Sequence, residues 1–274
     1  MRIIVFLFVL FSFSCKSVSK EQQFINNITG EWLVLYPDHQ LKNEKQRKLY
    51  GKIQDSIVAL KGLKLVSFAE NRIFRQVGNP SSNGRWDTKA MTDVNISEAG
   101  EGFENYKTKF TVFDNDILQL TETVKYDGED IRLIWHFKKI DKNNTEKLFS
   151  KEANAWRLKP VNAETDAEIK KRLAAALYYY ADYFNLVAEE STYFIGKRII
   201  LPFTFYQHAI GTRDLDPDSD FAGMFYDNEQ AEKAYEYLQD IISILKNDFS
   251  KKDNYVKGYA THMKAMADRI VTLP

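Results

Sequence analysis

Between residues 63 and 140 the sequence alternates apolar and polar side chains with a period of two, and short turn sequences interrupt the alternation at close intervals. This pattern predicts β-strands whose side chains point alternately to two faces. The segment 127–130, Asp-Gly-Glu-Asp, is typical of a tight hairpin turn. With an earlier apolar run included, the predicted strands are residues 32–36, 63–68, 72–77, 85–89, 92–97, 106–113, 117–126 and 131–140. Eight such strands, with no helix-length segment between the last seven, predict an antiparallel barrel or sandwich.

The first predicted strand follows the motif Gly30-Glu31-Trp32 and is expected to stop at Pro37-Asp38. A Gly-x-Trp motif followed by an up-and-down succession of strands resembles the lipocalin-like domain of bacterial lipoproteins, and the resemblance covers residues 28–141. It implies a structural role for Gly30 and Trp32, with the tryptophan plugging the closed end of a barrel. It also implies that a basic residue on a late strand, Arg132 or Lys138, packs across that tryptophan.

Two stretches interrupt the strand pattern. In residues 40–61 apolar side chains recur every three or four positions among many charges, which predicts a helical insertion that ends at Gly62. Such an insertion is placed to cover one end of the barrel. Residues 78–84 are rich in Gly, Asn, Pro and Ser, and their composition predicts a loop.

The first fourteen residues have the pattern of a secretion signal. Arg2 provides a positive charge, and the apolar run from Ile3 to Phe13 is too short to span a bilayer stably. The run ends in Ser14 directly before Cys15, which resembles a bacterial lipoprotein signal and implies that Cys15 is lipidated after cleavage. The alternative interpretation is an ordinary cleavage site with an incidental cysteine nearby.

Cys15 is the only cysteine of the chain. A disulfide within one chain is therefore impossible, and no thiol is left for catalysis or metal binding. We expect a protein of the cell envelope that is lipid-anchored in the outer membrane and faces the periplasm. Residues 15–27 are polar and are expected to form a tether with a short helical turn.

From residue 161 onward the apolar period becomes that of helices. Thr165 and Glu168 have the spacing of a capping box, Asp227 is placed to cap a second helix, and residues 250–253 open a third. The predicted fold class is therefore α+β. An N-terminal antiparallel lipocalin-like barrel is followed by a charged connector, 142–160, and by a C-terminal α-helical bundle, 161–274.

Aromatic residues are concentrated in this second half. The consecutive tyrosines 178–180 cover too wide an arc of one helix to face a single core, so packing against several neighbours is expected. The irregular segment 195–226 also contains many aromatic residues. It can supply that packing, or it can form a surface that docks another envelope protein.

Charge and motifs narrow the function. Lys+Arg and Asp+Glu are both 38, so no nucleic-acid partner is expected. The sequence contains no Gly-x-Ser-x-Gly motif, no phosphate-binding loop and no dinucleotide fingerprint, and its four histidines lack ligand spacing. A non-catalytic binding module for a small apolar ligand is the first hypothesis. A protein-interaction or scaffold lipoprotein is the second, and a hydrolase with a site between barrel and bundle is the third.

A barrel of this size holds a small ligand at its open end or is filled by its own side chains. If one set of alternating residues faces inward, the candidate ligand contacts are Phe74, Trp86, Phe110, Leu120 and Trp135. His136 points to the opposite face, and it becomes a candidate ligand contact if that face lines the barrel.

One loop has alternating aspartates, Asp214, Asp216, Asp218 and Asp220. Such a loop can present several oxygens to Ca²⁺, the only cofactor that the sequence suggests. However, Phe221 stands where a calcium loop needs its sharp-turn glycine, and Asp227 is better explained as a helix cap. A solvated acidic loop is therefore the favoured interpretation.

Overall fold

The structure is a computed structural model, and most of the chain that follows the leader is described by it. The described residues are 18–49, 64–78, 81–91, 93–98, 107–114, 117–140, 145–186, 208–209, 211, 214–219, 221–245 and 255–273. Cys15 and the signal-like leader lie outside this part, as do residues 50–61 of the predicted insertion. None of the helices within the described ranges has the length and apolarity needed to cross a bilayer.

Eight antiparallel strands close into an up-and-down barrel. They are β1 Gly30–Gln40, β2 Leu65–Phe68, β3 Ile73–Val77, β4 Ser82–Ala90, β5 Asp93–Glu98, β6 Lys107–Asp114, β7 Ile117–Tyr126 and β8 Glu129–Ile140. Each strand pairs with the next along the chain, and β8 returns to pair with β1. The prediction of eight antiparallel strands is confirmed, and the barrel rather than the sandwich is the observed form. Closure leaves the sheet without a free edge.

The structure corrects two predicted strand limits. β1 does not stop at Pro37-Asp38: its pairing register with β8 shifts between Val34 and Tyr36, and Pro37 then pairs with Trp135. An irregularity of this kind is where a strand tolerates a proline, which lacks an N–H donor. Residues 82–84, predicted as loop, instead open β4, because pairing with β3 outweighs their turn-like composition.

Aromatic rings occupy the barrel interior. Phe68 on β2 lies 5.7 Å from Phe110 on β6, centroid to centroid, so the two rings meet across the interior rather than along the sheet. Phe68 also contacts Phe74 and Trp86 at 5.4 and 5.8 Å, and Phe110 contacts Phe137 at 5.4 Å. These five side chains are at most 2% exposed. A ring that lined a ligand-sized space would keep accessible surface on that side, so this part of the interior is filled by its own side chains.

Helix α1, Lys20–Ile28, covers the end of the barrel at which β1 begins. Ser19 caps the helix by accepting a hydrogen bond from the backbone N–H of Gln22 at 3.1 Å. Phe24, Ile25 and Ile28 are buried. The stretch predicted as a tether with a short helical turn thus contains a nine-residue helix that packs on the barrel. Its few apolar side chains acquire this role through tertiary contact.

Trp32 is the residue that joins α1 to the barrel. Its Nε1–H donates to the carbonyl of Ile28 at 2.8 Å, and its side chain is fully buried. Lys139 Nζ lies 5.6 Å from the centre of the Trp32 ring and donates to the carbonyl of Asn27 at 2.7 Å. The basic residue across Trp32 is therefore Lys139, and the assignment to Arg132 or Lys138 is wrong.

The strand register explains this correction. Trp32 pairs with Lys139, so the two side chains share one face of the sheet. Lys138 alternates to the other face, and Arg132 pairs with Gln40 at the far end of β1. Trp32 thus lies fully buried at the end of the barrel that α1 covers. We call this covered end of the barrel the sealed end and the opposite end the far end.

Within the described residues, three long helices follow the barrel: α2 Asp166–Leu186, α3 Asn228–Ile244 and α4 Tyr255–Ile270. α2 packs against both of the others. The capping box at α2 is confirmed, since the backbone N–H of Thr165 donates to Glu168 Oε2 at 2.8 Å. The cap of α3 is also confirmed, because Asp227 Oδ1 accepts from the backbone N–H of Gln230 at 2.9 Å.

The three consecutive tyrosines of α2 contact different neighbours. Tyr178 donates its hydroxyl hydrogen bond to Asp268 Oδ1 on α4 at 2.6 Å, whereas Tyr179 donates to the carbonyl of Leu148 at 3.0 Å. The ring of Tyr180 lies 5.9 Å from Trp156. Packing against several internal neighbours, as expected for such a wide arc, is observed.

The connector is a structured part of the molecule. It contains two 3₁₀ turns, Thr145–Phe149 and Ala155–Arg157. On the barrel side Thr145 Oγ1 donates to Glu31 Oε2 at 2.8 Å, and Glu146 forms an ion pair with Arg75. On the helical side its backbone accepts the hydroxyl of Tyr179, as described above. The connector therefore contacts β1, β3 and α2 within a short stretch of chain.

Replacing Gly30 with alanine should destabilise the protein through the sealed end. Gly30 has a φ of +131°, and a Cβ there would lie 3.0 Å from Lys139 Cε. Strained backbone of this kind costs roughly 1–3 kcal/mol. We expect Gly30→Ala to reach the upper end of that range, because Lys139 must also move.

Gly128→Ala is the matched control. Gly128 has a φ of +76°, but a Cβ there would meet nothing within 4 Å. Gly128→Ala should therefore lower the free energy of unfolding by about 1 kcal/mol, through backbone strain alone. Urea unfolding of both variants checks the difference, and equal losses would show that the contact between Gly30 and Lys139 has no energetic weight.

Candidate functional site

The structure brings the predicted ligand contacts together on the inward face of the barrel. The register pairs Leu120 with both Phe110 and Trp135, so these three share a face. Phe74 and Trp86 contact the same interior rings. Leu120 is 8% exposed, whereas the other four are at most 2% exposed. The predicted set is thus correctly grouped in space, but in this arrangement most of it is packed core.

His136 does not belong to that group. It neighbours the inward-facing Trp135 and Phe137, and adjacent residues of a strand point to opposite faces. Its register partners are Tyr36 on β1 and Gln119 on β7. Its Nε2 lies 3.2 Å from Gln119 Nε2, on the outer face. The condition under which His136 would contact a ligand inside the barrel is therefore not met.

Lys64 is a site residue that the sequence interpretation missed. It lies next to β2 and is 5% exposed, and its carbonyl accepts from the backbone N–H of Val34 at 2.9 Å. Its Nζ lies 5.7 Å from the centre of the Trp135 ring. A signal was present, because alternation places residue 64 on the same face as Val66 and Phe68. A lysine ammonium this well shielded from water needs polar or aromatic neighbours.

The helical segment 44–49, which belongs to the predicted insertion, lies against the β7–β8 hairpin. Lys45 Nζ is 3.1 Å from Glu129 Oε1, and Gln46 Nε2 donates to the carbonyl of Asp130 at 3.1 Å. Hydrogen bonds from Lys45 and Gln46 hold the pKa of the Glu129 carboxyl below its ordinary value. Segment 44–49 thus lies beside the far end of the barrel, and residues 50–61 of the predicted insertion fall outside the described residues.

Two histidines of the helical half, His208 and His262, are buried, and His208 lies among aromatic rings. His208 is fully buried, with Phe221 at 4.8 Å and Tyr235 at 5.2 Å between ring centroids. His262 Nε2 lies 3.3 Å from the carbonyl oxygen of Ala209, the residue next to His208. Sequence spacing could not indicate this proximity, because the two histidines are far apart along the chain.

The tyrosine of this cluster is unsuited to base chemistry near neutral pH. Burial and, in addition, the negative charge of Asp214 raise the pKa of Tyr235 above its ordinary value. The phenol therefore keeps its proton. Edge-on ring contacts around His208 are those of an aromatic core.

The acidic loop is only partly described. Asp216 Oδ1 accepts from the backbone N–H of Asp218 at 3.1 Å, which is a local turn interaction. Asp220 lies outside the described residues. Across the described chain, no group of three or more His, Cys, Asp or Glu side chains is close enough to hold a metal ion. The calcium interpretation of Asp214, Asp216, Asp218 and Asp220 stays an untested prediction.

The described part of segment 195–226 is used for internal packing. Phe221 and Phe225 are fully buried, and their ring centroids are 5.2 Å apart. Phe221, the residue in place of a calcium-loop glycine, is thus an aromatic core residue. Tyr226 is 39% exposed. The remaining aromatic residues of the segment lie mostly outside the described residues.

Comparison with known proteins returns no relative. No protein-family model, no curated protein and no solved structure matches the chain. The function must therefore be argued from the geometry of the barrel, its two ends and the connector.

Phe110→Ala should show whether the interior rings are core or ligand lining. If Phe110 is packed core, Phe110→Ala should lower the free energy of unfolding by about 3–5 kcal/mol, because a cavity replaces the ring contacts. Ile73→Ala, at an outward position that is 49% exposed, should change stability by no more than about 0.5 kcal/mol. Chemical denaturation measures both, and a Phe110→Ala protein as stable as the Ile73 control would contradict the assignment to the core.

Proposed function

We propose that the protein is a lipid-anchored lipoprotein of the cell envelope whose lipocalin-like barrel is a non-catalytic binding module. The observation that carries the proposal is the difference between the two barrel ends. Aromatic rings, Trp32 and helix α1 fill and cover the sealed end. Toward the far end, the inward Lys64 lies beside Trp135, and Leu120 is the most exposed of the predicted contacts.

This asymmetry restricts where a ligand binds. The rings around Phe68 and Phe110 leave no room for it without repacking of the core. A small apolar ligand is therefore proposed to lie toward the far end, against Trp135 and Leu120.

The proposed anchor also orients the barrel. If Cys15 carries the acyl chains, only the four residues 16–19 separate it from the start of α1 at Lys20. Four extended residues span about 14 Å. The sealed end would then face the outer membrane, and the far end would face the periplasm.

A protein-interaction or scaffold lipoprotein is the second candidate. The filled interior supports it, because a barrel packed with its own rings can act as a rigid body without a ligand. The connector supports it as well, since its contacts with β1, β3 and α2 join barrel and helices firmly.

Cys15→Ser should abolish lipid attachment. Cells that express the wild-type chain and are fed an alkyne fatty acid should incorporate the label into the protein, because acyl chains supply the proposed anchoring. Ser14→Ala is the matched control: it keeps a small residue before Cys15 and should keep the label. A wild-type protein without label would contradict the anchor.

The binding module is tested by mass spectrometry of small molecules extracted from the wild-type protein after purification from its native membrane in mild detergent. We expect one class of apolar molecule in near-stoichiometric amount. The Leu120→Trp variant should lose it by filling the space beside Trp135, whereas Ile73→Trp on the outer face should retain it. A wild-type protein that carries no such molecule would overturn the binding module in favour of the scaffold.

A further inference from the structure

The connector contains an arginine, Arg157, two of whose guanidinium nitrogens have no hydrogen-bond acceptor among the described residues. Arg157 ends the second 3₁₀ turn, and its Nε and Nη2 atoms are shielded from solvent. Neither Nε nor Nη2 donates a hydrogen bond to an acceptor among the residues that the structure describes. These two nitrogens form one edge of the guanidinium, with parallel N–H bonds. Shielding such donors from water without an acceptor is strongly unfavourable.

Aromatic contacts do not satisfy that edge. The Arg157 Cζ atom lies 4.9 Å from the centre of the Trp156 ring and 4.8 Å from that of Tyr179. The two ring centres are only 5.5 Å apart, so the cation sits in the corner between them and is not sandwiched. Cation–π attraction acts over a ring face, whereas the N–H bonds lie in the guanidinium plane. The edge therefore still requires an acceptor.

The position of Arg157 is set by its neighbours. Arg172 on α2 donates from Nη1 to the carbonyls of Trp156 and Leu158, the residues on either side, at 2.8 and 2.9 Å. The ring of Tyr179 is held in turn by its hydrogen bond to Leu148, at 3.0 Å. Both the backbone of Arg157 and one wall of the corner are thus fixed before any ligand arrives, which lowers the entropy cost of binding.

Arg172 shows what Arg157 lacks. Its Nε and Nη2 donate to the two carboxylate oxygens of Glu164 at 2.8 and 2.7 Å. The chain thus provides one of these neighbouring arginines with a two-oxygen partner on the same edge. For Arg157 no described residue takes that place.

We propose that Arg157 is the centre of a binding site for a small molecule that carries an oxyanion group with two adjacent oxygens, a carboxylate or a phosphate. The Nε and Nη2 donors would each bind one oxygen, and the rings of Trp156 and Tyr179 would hold the cation in place. The site lies where the connector packs on α2. It is separate from the barrel interior and does not depend on the ligand proposed there.

Calorimetric titration of the full-length protein with inorganic phosphate and, separately, with acetate tests the site. We expect the wild type to bind one of the two, and the anion that binds identifies the chemical class. Arg157→Lys keeps the charge but loses the two-donor edge, so it should bind at least tenfold more weakly. Arg132→Lys, at an exposed position on the barrel, is the matched control and should bind like the wild type.

A second readout keeps the test decisive if Arg157→Lys does not fold. In the wild type, the NMR signal of the Arg157 Nε–H should shift on addition of the anion. Binding of neither anion, or an Arg157→Lys affinity equal to that of the wild type, would overturn the proposal. An unchanged Nε–H signal would also overturn it.

Discussion

Lys139 joins three parts of the molecule at one point. It belongs to the last strand, it lies over the ring of Trp32 on the first strand, and it binds the carbonyls of Asn26 and Asn27 in the last turn of α1. A cation is favoured at this end of a helix, where carbonyl groups lack intrahelical partners. The same contacts therefore join β8 to β1 where the barrel closes and hold the helix over its end.

The rest of the architecture follows from this closure. With α1 and Trp32 covering one end, the interior beside it excludes water and is filled by rings from strands that are not neighbours. The ligand that we propose for the barrel is thereby directed to the far end, where Lys64 lies beside Trp135. The connector follows β8 in the chain. Its described part begins at Thr145 and contacts β1, β3 and α2.

Most of the strands and helices could be predicted from the sequence, because each type of element has its own period of apolar residues. Strand alternation and the capping residues Thr165 and Asp227 are local signals, and local signals predicted the eight strands and the start of two helices. Side-chain contacts that depend on the pairing register of two strands could not be predicted from the sequence. A one-residue difference separates Lys138, on the outer face, from Lys139, over Trp32. The role of α1 escaped prediction because its polar sequence gains a buried face only from the barrel. No sequence pattern singled out Arg157, because the lack of an acceptor for its Nε and Nη2 among the described residues depends on the folded structure.

A crystal structure of the full-length protein, purified from the cells that naturally produce it, would test the account most directly. The central claim is that the barrel is sealed by Trp32, Lys139 and α1 and is filled by its own aromatic rings. We predict side-chain density alone among Phe68, Phe74 and Phe110, with any bound molecule confined to the far end beside Trp135. A ligand lying between those three rings, or a Trp32 ring detached from α1, would contradict the claim.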